Sequence, residues 1–178
     1  MVDQGLNPDS MTMMEKLKFK IRSKFQVRYV KRIKEVLSQS GLVSAESIDI
    51  NTYINNASNF ISRNLAGEAI LTVGGSMTEI VSHSCGVIAI GPFGCMPNRL
   101  SEAILNETMT RRGKMITEPN NDRLKAILTD IDDLPFLAIE SDGSPFPQLI
   151  DAKLETFCLR AERLHSRLME YAKMSNPN

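Results

Sequence analysis

The sequence predicts a mixed α/β fold: a parallel strand–helix–strand–helix unit behind a helical lead-in. Three observations predict it. "GVIAIG" at 86–91 is a short, apolar, β-branched run closed by glycine, the pattern of a buried parallel strand. "PFLAIE" at 135–140 is a second run of the same kind. Each is followed by a segment of helical periodicity, and a strand–helix–strand order of this sort folds as a right-handed parallel crossover.

The elements follow in order. Residues 1–12 carry Gly5, Pro8 and Asp9 and are expected to be disordered or loosely attached. Met13 to Ser38 reads as a helix, because Leu17, Ile21, Phe25, Ile33 and Val36 recur at spacings near three and four. Gly41 stops it, and a second helix starts near Ser44 or Asp49. That helix carries Ile50, Tyr53, Ile54, Ala57, Phe60 and Ile61 on one face, and residues 13–63 together form the lead-in. The α/β domain is expected at 64–174. Within it, 66–72 fits a helix or a short strand, with Gly74-Gly75 interrupting either.

After the first strand, Pro97 suits the first turn of a helix, where its missing N–H leaves nothing unpaired. Leu100, Ala103, Ile104 and Met109 continue that helix, and Arg111, Arg112 and Gly113 read as its C-terminal signals. A polar loop and a short helix at 122–129 lead to the second strand. "SDGSPFP" is a turn cluster. The closing helix spans 149–173, with Leu149, Ala152, Phe157, Leu164, Leu168 and Tyr171 expected to face inward.

Composition excludes several classes. The 178 residues carry 21 basic and 21 acidic side chains, so no general attraction to nucleic acid or an anionic membrane is expected. No apolar run is long enough for a membrane span, and the polar N-terminus lacks a signal-peptide core. A cytoplasmic protein is therefore expected. Three cysteines, Cys85, Cys95 and Cys158, suit a reducing compartment and are too few for a four-cysteine metal site. There is no phosphate loop, dinucleotide fingerprint, zinc-protease motif or serine-hydrolase elbow. One local excess of charge stands out: nine cations against Glu15 and Glu35 within the first helix. It reads mainly as a solvated face, against a nucleic-acid or lipid-head-group patch; the alternative function is a module at 16–34 that docks an acidic partner, with Cys95 purely structural.

The chemistry concentrates in two loops expected at the carboxyl ends of the strands, where α/β folds bind ligands. In "GPFGCMP" (Gly91, Pro92, Phe93, Gly94, Cys95, Met96, Pro97) the glycines permit close approach, and Cys95 precedes a helix N-terminus that favours a thiolate. Asp142 and Gly143 form the other loop, which is more simply a turn. Three roles for Cys95 compete: a small buried hydrophobe, a nucleophile, or a metal ligand. No spacing identifies His83 or His165 as the base of a dyad. Cys158 is expected in the core and His165 at the surface.

"GEAILTVGG", "GVIAIGPFGCMPNRLSEAIL" and "LPFLAIESDGSPFPQLIDAKLETFCLRAERL" together carry a family resemblance. Residues 64–168 resemble the C-terminal portion of the large CoA-substrate-specific enzyme activases, which are related to the activators of 2-hydroxyacyl-CoA dehydratases such as 2-hydroxyglutaryl-CoA dehydratase. The same portion resembles the dehydratase component that carries a [4Fe-4S] cluster. The resemblance implies a Rossmann-like half-domain in which the cysteine after the strand, here Cys95, contributes to that cluster. It implies ATP-driven electron delivery in the intact system, with ATP bound by a domain whose motifs are missing here. The implied partners are the remainder of the activase or a dehydratase component. The chain itself is expected to be non-catalytic alone, without a complete cluster.

Overall fold

The computed structural model describes residues 12–41, 49–65, 67–141, 143 and 147–175. Two units divide at residues 48 and 49. In the first, helix α1 (Met13–Ser38) has the bounds its periodicity predicts. Its start is fixed by a capping box: Thr12 Oγ1 accepts from the Glu15 amide, and Glu15 Oε2 accepts from the Thr12 amide at 2.9 Å. Gly41, at φ +72, follows its end. None of its residues is buried.

The second unit is a mixed α/β arrangement, mostly helical, with a two-stranded parallel sheet among the described residues. Its order is α2 (Ile50–Ala57), α3 (Ala69–Glu79), β1 (Val87–Pro92), α4 (Met96–Thr108), α5 (Arg111–Thr117), α6 (Asp122–Ile127), β2 (Phe136–Ser141) and α7 (Pro147–Ser175). Asp49 caps α2 by accepting from the Asn51 amide at 2.9 Å. Ser44 lies outside the described residues. Helix α2 ends earlier than its apolar pattern suggests. Ile61 is nevertheless buried from the turns that follow.

Gly74-Gly75 does not interrupt anything, contrary to the sequence expectation. Helix α3 runs through both. The reason is packing: a Cβ on Gly74 would overlap the carbonyl oxygen of Tyr53, so α2 and α3 meet backbone to backbone. Hydrogen bonds lock this pair, from Tyr53 Oη to Glu79 Oε1 at 2.6 Å and from Asn56 Nδ2 to Thr78 Oγ1 at 2.9 Å. Burial, then the bond to the Glu79 carboxylate and its charge, push the Tyr53 phenol well above its ordinary range.

The cluster Arg111-Arg112-Gly113 also departs from expectation. It opens α5 instead of closing α4. Thr110 accepts from the Gly113 amide at 3.1 Å and so caps a new helix. Lys114 is then carried into the core, where its side chain is 0% exposed. Its ammonium donates to the carbonyls of Met77 at 2.8 Å and Thr78 at 3.2 Å, and sits 2.8 Å from Glu118 Oε1. Lys114 thereby caps the C-terminal end of α3 from α5.

Strands β1 and β2 pair in parallel from Val87 opposite Phe136 to Pro92 opposite Ser141. Both lie within a residue of their predicted bounds. β1 is not buried on both faces as its apolar run suggests: Ile88 and Ile90 are exposed, Ile90 by 70%. The core lies among the helices, around Val73, Met77, Ile80, Leu105, Leu128 and Leu134. Helix α7 joins it through buried Leu164, with Leu168 and Tyr171 half-buried against it. Phe157 is half-buried, whereas Leu149 (63% exposed) and Ala152 face outward, contrary to expectation. The first turns of α7 extend past the core, so apolar spacing there buries little.

Two outcomes follow. Gly74→Ala should lower unfolding stability by about 1–3 kcal/mol through overpacking, read as a lower urea midpoint; an unchanged midpoint contradicts the backbone contact. The second concerns acid. Burial acts to raise the Glu118 pKa, but hydrogen bonds from Lys114 and Asn121 and the Lys114 charge outweigh it, so the carboxyl is held below its ordinary 4.5. Its stabilising contribution is complete above that value and is lost as pH falls through the lowered one. Glu118→Gln should flatten this part of the acid-stability curve, measured by urea unfolding across the acid range.

Candidate functional site

The site is built from the carboxyl ends of the two strands. Phe93 donates its amide to the Ser141 carbonyl at 2.9 Å, so the loop after β1 is tied to the end of β2. Gly91 lies opposite Glu140 in the sheet register. A Cβ on Gly91 would sit 2.5 Å from Asn98 Cγ, so a larger residue there would have to displace the Asn98 amide. Gly94 turns the chain at φ +75, a left-handed conformation that favours glycine. The loop then enters α4 with Cys95 as its N-cap and Pro97 in the first turn.

Cys95 is half-buried, and its side chain makes no capping hydrogen bond, so the thiol is not consumed by the helix it introduces. Pro97 has no amide hydrogen, and the Arg99 amide donates to the Cys95 carbonyl at 2.9 Å. As N-cap residue, Cys95 stands at the positive end of the α4 dipole. Phe93 (71% exposed) and Met96 (74%) are exposed apolar neighbours of Cys95 in the chain. Behind it, Arg99 Nε lies 2.7 Å from Glu140 Oε1 and ties α4 to β2. That oxygen is buried without an aligned hydrogen bond, so the contact is ionic in character. Asn98 Nδ2 is also buried, and it lacks a hydrogen-bond partner among the described residues.

Of the residues singled out in the sequence, Gly91, Pro92, Phe93, Gly94, Cys95, Met96 and Pro97 thus form one continuous edge. Gly143, at φ +86, follows β2 and donates its amide to Ser141 Oγ at 3.2 Å. Asp142 lies outside the described residues. Cys158 is exposed on α7, not in the core, because the apolar spacing around it belongs to the outward part of that helix.

No protein-family model matches the chain. No curated protein and no solved structure matches it either. The chemistry of the site therefore rests on its residues.

Sequence spacing did not reveal a thiol–imidazole pair, yet the structure contains one around a different cysteine. Cys85 Sγ lies 3.6 Å from His165 Nδ1, across 80 positions of sequence. Cys85 is delivered by a strained corner after α3. Val81, a buried β-branched residue, adopts φ +70, an outlier for its type. Its amide donates to the Ser84 carbonyl at 2.9 Å, and the His83 and Ser84 amides both donate to the Glu79 carbonyl. His83 Nδ1 itself lies 3.2 Å from Glu79 Oε2. Burial pushes the Cys85 thiol upward, which favours its protonated form beside the imidazole. Among the described residues no three His, Cys, Asp or Glu side chains gather as a metal site.

The three thiols should consequently differ in reactivity. Under limiting iodoacetamide, Cys158 and Cys95 should be alkylated before Cys85, as read by peptide mass mapping. Faster modification of Cys85 would contradict the protonated, hydrogen-bonded thiol.

Proposed function

We propose that this chain is a domain of a 2-hydroxyacyl-CoA dehydratase activator or dehydratase-like protein, non-catalytic by itself, which supplies Cys95 as one ligand of a [4Fe-4S] cluster. The observation that carries this reading is the placement of Cys95: a thiol left unused by its own helix cap, at the carboxyl end of a parallel strand, beside a helix dipole. A cluster takes four thiolates as a rule. The residues present fit one corner of it. Asn98 Nδ2, buried and orphaned in the first turn of α4, is a donor suited to a nearby negative group.

In this reading Cys95 would hold an iron through its thiolate. The first turn of α4 would stabilise the added negative charge. The bound cluster would supply one-electron transfer. Gly91, Gly94 and the Arg99–Glu140 contact would hold the loop against the sheet. The remaining ligands would come from the rest of the activase or from a dehydratase component, and ATP would be used elsewhere in that assembly. The two-stranded parallel sheet is the nucleus of a Rossmann-like half-domain on this reading. Parallel strands are ordinarily covered on both faces, and exposed Ile88 and Ile90 leave one side open for such a neighbour.

The test is anaerobic reconstitution of the full chain with iron and sulfide in the presence of the dehydratase component. The wild type should raise bound iron and visible absorbance over the component alone. Cys95→Ala should remove that increment, whereas Cys158→Ala should keep it. An increment that survives Cys95→Ala refutes the ligand role.

A further inference from the structure

Helix α1 poses a problem of its own. It is 26 residues long, or about 39 Å at 1.5 Å per residue. Leu17, Phe19, Ile21, Phe25, Val27 and Tyr29 are all exposed, Phe25 by 60%. Helices in proteins owe most of their stability to packing of an apolar face, and α1 buries no residue. Its charge is equally one-sided. Within the helix sequence Lys16, Lys18, Lys20, Arg22, Lys24, Arg28, Lys31 and Arg32 outnumber the acids Glu15 and Glu35. Glu15 is engaged in the cap with Thr12, and Glu35 lies 3.9 Å from Lys31.

We infer that α1 is a docking arm for an acidic, apolar-lined protein groove that encloses a helix. Charge complementarity requires an acidic surface. The arrangement of apolar residues selects the groove. Val27 and Val36 are nine positions apart in one helix, about two and a half turns, and so project to opposite sides. Cations also interrupt the apolar side, as Lys24 follows Ile21 and Arg28 follows Phe25 at i, i+3. A bilayer surface covers one face of a helix and asks for segregated apolar and cationic sides. A nucleic acid has use for the cations but none for exposed aliphatic side chains. A protein groove that wraps the helix satisfies both, taking Leu17, Ile21 and Phe25 at i, i+4 and i+8 as anchors and ringing them with carboxylates. This inference is independent of the cluster reading, because it uses no residue of the Cys95 loop.

The experiment uses the full chain and one probe of the stated chemistry, calcium-loaded calmodulin, with binding measured by calorimetry. Saturable binding is expected, weakened about tenfold or more between about 50 and about 500 mM NaCl. Combined Lys16→Glu, Lys20→Glu, Lys24→Glu and Lys31→Glu should weaken it about tenfold or more at low salt. Ile21→Ala with Phe25→Ala should abolish tight binding while leaving the cations and the circular-dichroism helix signal in place. Absence of binding to the probe overturns the inference, as do variants that bind like wild type. Tighter binding to phosphatidylserine vesicles or to duplex DNA than to the probe also overturns it, as does self-association through α1 that excludes the probe.

Discussion

The ammonium of Lys114 is fully buried, and the second unit is organised around satisfying it. Three acceptors surround it: the carbonyls of Met77 and Thr78 at the end of α3, and the carboxylate of Glu118 one turn along α5. Helix ends expose carbonyls that need donors, and α3 ends inside the core, where water is not the donor. A charge is costly to bury unless it is paired and hydrogen-bonded. Here both conditions hold at once, so one side chain closes a helix terminus and fastens two helices together. The corner that follows α3, with Val81 in its unusual conformation, starts from this fixed point and runs into β1.

A second set of constraints sets the opposite side of the strands. The corner between α4 and α5 is held by Leu134, whose amide donates to the Met109 carbonyl at 2.8 Å, and by Arg111, whose amide donates to the Asp132 carbonyl at 2.7 Å. Arginines of α7 reach the same segment: Arg163 donates to the Asp130 carbonyl at 2.8 Å, and Arg160 to that of Leu134 at 3.3 Å. Together these contacts deliver β2 to β1 with its register fixed. Among the described residues, the first of the loops that carry chemistry is tied down by Phe93 with Ser141 and by Arg99 with Glu140.

What could be read from sequence follows the range of the interactions responsible. The ends of α1, the capping role of Asp49 and the place of Pro97 in α4 are local, decided within a few residues, and were legible. Both strands were legible from short β-branched runs. Gly74-Gly75 was not, because its purpose is the approach of Tyr53's backbone from another helix. Arg111-Arg112-Gly113 has the composition of a helix end, but Thr110 just before it caps a new start. Nothing local marks Lys114 as buried, since its three acceptors come from α3 and from its own next turn. The Cys85–His165 pair was out of reach for the same reason. The only available signal was indirect: a histidine on α7, and a cysteine just before β1, whose partner strand β2 meets α7.

The parallel register has a consequence for how the Cys95 edge comes into being. Val87 and Phe136 are separated by three helices in the chain, so their pairing is non-local and must await the collapse of what lies between. Side chains alternate across a strand, and a slip of one residue would exchange the two faces of β1 and carry Gly91 away from Asn98. The loop geometry at Cys95 therefore cannot precede the rest of the unit. A chain arrested before strand pairing would lack the bond from Phe93 to Ser141 that ties the Cys95 loop to β2.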